Sequence, residues 1–241
     1  IRDRYIYAVD VQIDGSEASV AKRAKSPNIL IVQEKKYRFP GPEAGAERLS
    51  DRPVIIGFGP AGLFCGLMLA RAGFQPVILE RGADVDTRTK EVKRFWEEGT
   101  LNPESNVQFG EGGAGTFSDG KLNTLVKDVS GRNTEVLRIL TEAGADESLL
   151  YSSKPHVGTD VLSRVVKRLR EEIISLGGEV RFLTRAADLI VQDGAVTAVK
   201  TEHPERGEEM IPAMAVVLAV GHSARDTFQT PVSYTHLRAH E

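Results

Sequence analysis

The stretch Val54-Ile-Ile-Gly-Phe-Gly-Pro-Ala-Gly62 decides the fold of this chain. An apolar run leads into three glycines spaced as G-x-G-x-x-G, and a second apolar run over 61–72 stops at Gly73. With the apolar segment 75–80, this pattern predicts a strand, a tight turn, a helix and a strand, the size of one βαβ unit. Fully apolar strands are typical of parallel sheets covered on both faces. We therefore expect an α/β fold with a mainly parallel sheet.

The three glycines of the turn have separate physical tasks in a dinucleotide site. Gly57 makes the tight turn out of the strand, and Gly59 lets a pyrophosphate approach the backbone. Gly62 lets the helix pack closely on the sheet. The start of the helix adds free N–H groups and a partial positive charge of roughly half a unit. The motif predicts a bound dinucleotide, but by itself it does not separate NAD from FAD.

Glu80 lies 18 residues after Gly62, at the end of the second predicted strand. A carboxylate there can accept hydrogen bonds from both hydroxyls of a ribose, and it would repel a 2′-phosphate. This argues against NADP at the site. The alternative is a solvated acid that pairs with Arg81.

The rest of the chain continues the alternation of helices and strands. The apolar run 210–221 is about a dozen residues, whereas a membrane span needs roughly 20, so we expect a buried strand over 213–220 that leads into Gly221. Asp193-Gly194 is a favourable hairpin turn. Helices are predicted over 87–98, 134–143 and 160–176, and further strands over 179–183, 187–191 and 195–200.

Residues 1–50 are expected to form a small separate α+β unit. Alternating apolar residues over 5–13 and the apolar run 29–32 predict strands, and Asp14 or Ser16 can cap a helix over 17–25. Pro40-Gly-Pro-Glu-Ala-Gly45 predicts a linker, after which the main domain occupies 51–230. Residues 231–241 show no hydrophobic period and are expected to be a non-native tail. Because the chain also begins with Ile1, we expect it to be truncated at both ends.

Composition excludes several classes of function. The 241 residues carry a net charge of -3 with interspersed signs, which argues against a nucleic-acid or membrane-surface binder with a broad basic face. The basic residues of the first fifty are interpreted as a solvated surface, with an anionic partner as the alternative. The single cysteine, Cys65, excludes an internal disulfide and a thiolate zinc site, and it favours a reducing, cytoplasmic location. No spacing of metal ligands is present, so no metal is expected.

A glycine-rich segment, residues 106–120, has five glycines in the eleven residues from Gly110. Such a backbone can run alongside a long ligand, and Thr116 and Ser118 can offer hydroxyl donors. Because Phe109 and Phe117 suit a mobile polar linker poorly, we interpret this segment as a loop that faces a ligand. A late strand that ends at Gly221 would return beside the first turn. Together these two features favour FAD over NAD.

The chain over 53–228 resembles the glutathione-reductase-type two-dinucleotide-binding flavoproteins, and more narrowly a family of bacterial uncharacterised FAD-dependent dehydrogenases. Members of that family continue into a substrate-side domain and a final flavin-binding segment. The resemblance is carried by Arg52-Pro-Val-Ile-Ile-Gly-Phe-Gly-Pro-Ala-Gly-Leu63, Phe109-Gly-Glu-Gly-Gly-Ala-Gly-Thr-Phe-Ser-Asp-Gly-Lys-Leu122, Lys154-Pro-His-Val-Gly-Thr-Asp160 and Gly221-His-Ser-Ala-Arg-Asp-Thr227.

The resemblance implies a Rossmann-like FAD-binding domain. It places the diphosphate on the glycine turn, the ribose on Glu80 and the adenine at the backbone near Ala186, with further contacts from the glycine-rich loop. The residues expected to contact the cofactor are Gly57, Gly59, Pro60, Ala61, Gly62, Glu80, Arg81, Gly113, Ala114, Gly115, Thr116, Ser118, Ala186 and Gly221.

The function expected from these observations is that of an FAD-dependent oxidoreductase. Its small-molecule substrate and electron donor are unknown, with NAD(P)H as a possible partner, and no nucleic acid or membrane span is expected. The alternatives are an NAD-dependent Rossmann dehydrogenase and a non-catalytic flavin-fold protein that binds a partner. No catalytic residue is assigned, since His156, Asp160, His222 and Lys121 can equally be loop residues that bind no substrate. Cys65 is expected to be a packing residue.

Overall fold

The computed structural model describes residues 6–32, 36–40, 49–118, 120–122, 127–152 and 154–227. The expected tail over 231–241 and nearly all of the expected linker over 40–45 lie outside these ranges. The helices and strands in chain order are α1 (Glu17–Ala24), β1 (Val54–Ile56), α2 (Pro60–Arg71), β2 (Val77–Leu79), α3 (Val85–Glu98), α4 (Arg132–Glu142), α5 (Thr159–Ser175), β3 (Glu179–Arg181), β4 (Arg185–Gln192), β5 (Ala195–His203), β6 (Gly207–Pro212) and β7 (Val216–Leu218). Two short 3-10 helices cover Ala114–Phe117 and Glu147–Leu150.

Four of the strands form a parallel sheet in the order β3-β2-β1-β7. Val54 of β1 is in register with Val77 of β2 on one side and with Val216 of β7 on the other. This is the 3-2-1-4 order of the first strands of the Rossmann fold, in which the chain crosses to the other side of β1 for its fourth strand. The predicted α/β fold with a mainly parallel sheet is therefore confirmed.

Both faces of β1 and β2 are buried, which explains why these two strands are apolar along their whole length. Because side chains alternate along a strand, Ile55 and Ile78 point to one face, where α2 and α5 cover them with Leu67, Leu169 and Ile173. The residues on either side point to the opposite face. A fully buried leucine such as Leu67 contributes about 1.5–3 kcal/mol to folding.

The second face of the sheet is covered by an antiparallel sheet of β4, β5 and β6. Val54 and Leu79 pack there against Val199 of β5 and Ile211 of β6. The predicted hairpin turn at Asp193-Gly194 is present, with positive φ at both residues, as a two-residue type I′ turn requires. The molecule thus has three layers: helices, parallel sheet and antiparallel sheet.

The apolar run 210–221 is divided between two strands, so the prediction of one buried strand over 213–220 was wrong in extent. The run begins in β6, which pairs with β5 through Pro212, and continues in β7, which pairs with β1 only over Val216–Leu218. The sequence did not predict β6, because its first residues are polar and show no apolar pattern. Pairing with β5, rather than burial, makes this segment a strand.

In the N-terminal region, the predicted helix is confirmed and the predicted strands are not. Ser16 caps α1, its hydroxyl oxygen accepting from the N–H of Ser19 at 3.3 Å. Residues 6–13 and 29–32 form no strand, so both predicted strands are wrong for these described residues. An amphipathic strand needs a partner strand and a core to cover its apolar face. Here the side chains of Ile6 and Val11 are 95% and 71% exposed.

Candidate functional site

A cleft of about 720 Å³ opens at the carboxyl ends of β1, β2 and β7. In open parallel sheets, ligands bind in the crevice where the strand order reverses, which here lies between β1 and β7. Eleven of the fourteen residues expected to contact the cofactor line this cleft, and Gly62, Thr116 and Ser118 do not. The eleven are Gly57, Gly59, Pro60, Ala61, Glu80, Arg81, Gly113, Ala114, Gly115, Ala186 and Gly221.

The glycine turn forms the floor of the cleft and leaves no room for side chains. Gly57 has a φ of 101°, and a Cβ there would lie 2.5 Å from the carbonyl oxygen of Ala219. The N–H of Ala219 donates to the carbonyl of Ile56 at 2.8 Å, so the chain after β7 returns beside the turn, as the sequence predicted. A Cβ on Gly62 would collide with the carbonyl oxygen of Gly57. Gly62 therefore sets the close approach of α2 to the turn and does not contact the cleft.

The start of α2 is available to an anion. Its N-cap is Gly59, no side chain caps it within the described residues, and Pro60 occupies its first turn. A helix start leaves its first N–H groups without intrahelical acceptors and carries a partial positive charge. Because Gly59 and Pro60 both line the cleft, a diphosphate in the cleft would meet the positive end of the helix.

Glu80 is buried at 5% exposure and organises the backbone around the cleft. Its Oε2 accepts from the N–H of Phe58 at 2.8 Å, and its Oε1 accepts from Gly82 at 2.9 Å and Gly110 at 3.0 Å. A carboxylate offers about four acceptor sites, so one remains for a ligand on the Oε2 side. Arg81 does not pair with Glu80, as the alternative interpretation supposed. It pairs with Glu104 and Asp226.

The glycine loop, residues 106–118 of the structure, lies directly over the glycine turn. The N–H of Gly112 donates to the carbonyl of Phe58 at 2.9 Å. A Cβ on Gly113 would lie 3.0 Å from the Cα of Gly59 and 3.1 Å from Cδ of Pro60, so a side chain at this position would crowd the glycine turn. The loop therefore packs closely on the turn, and both segments line the cleft.

The two hydroxyls that the sequence suggested as ligand donors are used within the loop. Thr116 is fully buried, and its hydroxyl donates to the carbonyl of Glu111 at 3.4 Å. The hydroxyl of Ser118 donates to the carbonyl of Gly115 at 2.8 Å. Such hydroxyls compete for nearby backbone groups, and here they satisfy the backbone of a tight loop.

Arg88 is a buried residue of this region that the sequence analysis missed. Its side chain is 0% exposed, and burial lowers the pKa of the guanidinium to about 10, against the opposing charges of Glu80, Glu111 and Glu91. The group is therefore still charged at neutral pH. Val85, Arg88 and Val92 are the buried positions of α3. Their spacing of three and four residues, on one helix face, is the signal that could have found Arg88.

Glu111 is a second buried charge of the glycine loop. Its Oε2 accepts from the N–H of Val85 at 2.7 Å. Arg170 Nε lies 3.2 Å from Oε1, close enough for an ion pair, but its N–H is not aimed at that oxygen and neither atom has a hydrogen-bond partner among the described residues. Burial raises the pKa of Glu111, although the N–H of Val85 and the charge of Arg170 act in the opposite direction.

The raised pKa of Glu111 predicts a pH-dependent stability. The folded state binds this proton more tightly than the unfolded state, so folding stability falls as pH rises from the ordinary value of 4.5 through the raised pKa. Glu111→Gln removes this titration. We expect the free energy of unfolding of the wild type, relative to the variant, to fall over that pH range in urea titrations.

The control for the Glu111 experiment is Glu98→Gln, at an exposed position of α3. It removes a surface carboxylate and leaves the buried contacts of Glu111 in place, so it shows the effect of losing a carboxylate as such. Parallel pH profiles for Glu111→Gln and the wild type would contradict the interpretation of Glu111 as a buried, proton-binding carboxyl.

The mouth of the cleft carries a cluster of charges that the sequence did not predict. Arg81 binds Asp226 through both terminal nitrogens, at 3.0 and 3.1 Å, and its guanidinium lies 4.5 Å from the centre of the Phe109 ring. Arg185, next to Ala186, lies 3.6 Å from Asp226 and also pairs with Glu202. These contacts join the segment after β7 to the ends of β2 and β4. The sequence alone does not predict these contacts, because the three segments are far apart in the chain and meet only in the folded structure.

The remaining candidates from the sequence fall in different places. His222 lines the cleft, while Lys121, His156 and Asp160 do not. Lys121 and His156 face each other in an isolated antiparallel bridge that joins two of the quoted motifs. Cys65 is partly buried in α2, and burial raises the pKa of its thiol, which disfavours a reactive thiolate.

The described residues contain neither a metal-binding cluster nor a membrane-spanning helix. Within the ranges described above, no group of three or more His, Cys, Asp or Glu side chains is placed to hold a metal ion. In the same part of the chain, no helix has both the length and the apolar character that crossing a bilayer demands.

Comparison with curated proteins gives one match of high identity. The chain is 51% identical over 187 residues to an uncharacterized protein of Clostridium beijerinckii, an alignment that covers 78% of this chain and 34% of that protein. The chain thus spans about a third of the length of the curated relative it matches. No family model matches the chain.

Solved structures of similar shape share little sequence with the chain. THI4 of Thermovibrio ammonificans is 18% identical with a TM-score of 0.49, and the alignment covers 78% of this chain and 64% of that one. The myxobacterial halogenase CndH, described as a variant of FAD-dependent halogenases, is 16% identical with a TM-score of 0.44 over 73% and 38% of the two chains. A glycerol-3-phosphate dehydrogenase of Bacillus halodurans, complexed with FAD, is 13% identical with a TM-score of 0.46 over 74% and 36%.

Proposed function

We propose that this chain is the FAD-binding part of a flavoprotein oxidoreductase. The observation that carries the proposal is the position of Glu80, whose carboxylate joins the glycine turn and the glycine loop and borders the same cleft as the start of α2. A positive helix end next to a buried carboxylate matches a ligand that has both a diphosphate and a ribose.

The parts of FAD have complementary groups in the cleft. The diphosphate would bind at Gly59 and the first turn of α2, and the adenosine ribose would donate to Oε2 of Glu80. The adenine would lie near Ala186, and the chain would follow Gly113, Ala114 and Gly115 towards the flavin. When bound, FAD supplies the transfer of hydride or electrons, which protein side chains do not perform by themselves. The residues of this chain would bind the cofactor and orient it.

Two features of the cleft favour FAD over the nicotinamide dinucleotides. The glycine loop lines the cleft with Gly110 and with the stretch from Gly113 to Gly115, so that its backbone can run alongside an extended ligand. Glu80 disfavours the 2′-phosphate of NADP, because a carboxylate at the ribose position repels a phosphate there. The partly buried, single Cys65 suits a reducing compartment, and we propose a cytoplasmic enzyme. The residues that line this cleft do not identify the substrate or the electron donor.

Titration of the cofactor-free full-length protein with FAD, NAD⁺ and NADP⁺ tests the proposal. We expect FAD to bind with at least a hundredfold higher affinity than NAD⁺, a difference of about 2.7 kcal/mol. NADP⁺ should bind more weakly than NAD⁺. Tight binding of NAD⁺ without FAD binding would overturn the proposal in favour of a nicotinamide-dependent dehydrogenase. Tight FAD binding in a protein that no nicotinamide reduces and no quinone, dye or oxygen oxidises would favour a non-catalytic binding protein.

A further inference from the structure

We propose that Arg88 is a positioning residue for the cofactor: without touching the cleft, it holds the glycine loop in the shape that FAD binds. The proposal rests on the proposed function and assigns this role to a side chain outside the cofactor's contact surface. Arg88 is fully buried below the loop and is absent from the lining of the cleft.

The guanidinium of Arg88 donates to five backbone carbonyls of the glycine loop. Nε donates to Asn106 at 2.7 Å, and one terminal nitrogen donates to Val107 at 2.8 Å. The other terminal nitrogen serves Glu111 at 2.7 Å, Gly113 at 2.9 Å and, more weakly, Gly110 at 3.3 Å. The ring of Phe117 lies 4.7 Å from the guanidinium carbon. One planar cation thus fixes both ends of the loop segment 106–113.

These contacts need an arginine and not merely a positive charge. The carbonyls lie around a flat, forked group with donors in fixed directions, whereas the ammonium of a lysine has three donors on a single nitrogen. A charged group that is buried without enough hydrogen bonds carries a large free-energy cost. Lysine at position 88 would leave at least two loop carbonyls without a donor.

A few hydrogen bonds and packing contacts connect the glycine loop to the residues that line the cleft. Gly110 accepts from Arg88 with its carbonyl and donates with its N–H to Glu80 at 3.0 Å. Gly112 donates to Phe58 of the glycine turn, and Gly113 packs on Gly59. Arg88 is therefore one residue away from the group proposed to hold the ribose. If the contacts of Arg88 were lost, the loop would sample several conformations, and only one of them would bind FAD. Binding would then have to select that conformation, which lowers the affinity for the cofactor.

The test compares Arg88→Lys with Val92→Ala in the full-length protein. Val92 is equally buried on α3, so its truncation weakens helix packing without removing a donor to the loop. Three quantities are measured for each: the free energy of unfolding in urea, hydrogen exchange of the Gly110 and Gly112 amides in cofactor-free protein, and FAD affinity from quenching of flavin fluorescence. We expect Arg88→Lys to speed amide exchange and to lower FAD affinity about 10- to 100-fold, the effect seen when groups that orient metal ligands are removed.

The Val92→Ala variant separates positioning from general stability. At an equal loss of unfolding free energy, we expect its FAD affinity to stay within about threefold of the wild type, a shift of roughly 0.6 kcal/mol. An equal loss of affinity in both variants would overturn the proposal, because Arg88 would then act only through stability. Wild-type exchange and affinity in Arg88→Lys would overturn it as well. A wild-type protein that binds no FAD would instead overturn the proposed function, and exchange would still report on the contact between Arg88 and the loop.

A second variant approaches the same contact from the loop. A Cβ on Gly110 would lie 2.5 Å from Cδ of Arg88, at a φ of 118°, so Gly110→Ala displaces the arginine while keeping its charge. If Arg88 acts through this loop, the losses of FAD affinity in Gly110→Ala and Arg88→Lys should be strongly non-additive in the double variant. Additive losses would contradict the proposal.

Discussion

Gly57→Ala is expected to abolish FAD binding and to destabilise the fold by about 2–6 kcal/mol. The left-handed conformation of Gly57, with φ of 101°, costs an alanine about 1–3 kcal/mol. Its Cβ would also lie 2.5 Å from the carbonyl oxygen of Ala219, and crowding of this kind costs about another 1–3 kcal/mol. Because the atoms in the way belong to the backbone, the turn must shift, and with it the start of α2 that is proposed to bind the diphosphate.

Gly73→Ala is the matched control for this experiment. Gly73 has a similar φ of 84°, but nothing lies within 4 Å of the position its Cβ would take. It should therefore show the cost of the backbone conformation alone and retain full FAD affinity. Urea unfolding and a fluorescence titration with FAD measure both effects. If Gly57→Ala binds FAD as tightly as Gly73→Ala does, the glycine turn is not part of the cofactor site.

Glu80→Ala is expected to lower both stability and FAD affinity, the second by at least a hundredfold. The change leaves the N–H groups of Phe58, Gly82 and Gly110 without their acceptor, and a buried unsatisfied donor costs about 1–3 kcal/mol. It also removes the proposed partner of the ribose. Glu80→Gln keeps the shape and one acceptor oxygen but turns an amide N–H towards a backbone donor, so we expect an intermediate loss.

Glu104→Ala is the control for a carboxylate at the same mouth of the cleft. Glu104 pairs with Arg81 at 2.8 Å, and its side chain is 48% exposed. Arg81 keeps its two hydrogen bonds to Asp226 when Glu104 is removed, so this variant should keep nearly wild-type stability and FAD affinity. Unchanged FAD affinity in Glu80→Ala would remove the ribose assignment, whatever its effect on stability.

Local patterns predicted the centre of this fold well. The strands β1 and β2, the helix α2 and the glycine turn follow one another within thirty residues, and their apolar runs and glycines have a local cause. The helix α1, with Asp14 or Ser16 as its expected cap, and the hairpin turn at Asp193-Gly194 were also predicted for local reasons, and the structure shows Ser16 as the cap. The cleft could be placed from the sequence because a parallel βαβ unit binds its ligand at the carboxyl ends of its strands.

The errors concern segments whose conformation depends on whether another strand pairs with them. Residues 6–13 alternate like a strand, but within the described chain no neighbouring strand pairs with them. The strand β6 is polar and forms because β5 lies beside it.

Arg88 was missed for a different reason. A charged residue in an amphipathic helix is usually on the exposed face, and only the structure shows five carbonyls around this one. The charge cluster of Arg81, Arg185 and Asp226 joins segments that are far apart in the sequence, so no local sequence pattern predicts it.

The most direct test of the central claim is the visible absorption spectrum of the full-length protein, purified without added cofactor. The account predicts a yellow protein with the absorption bands of oxidised flavin, close to one flavin per chain, and release of intact FAD rather than FMN on denaturation. A colourless protein that stays colourless after incubation with FAD, and that binds NAD⁺ instead, would contradict it.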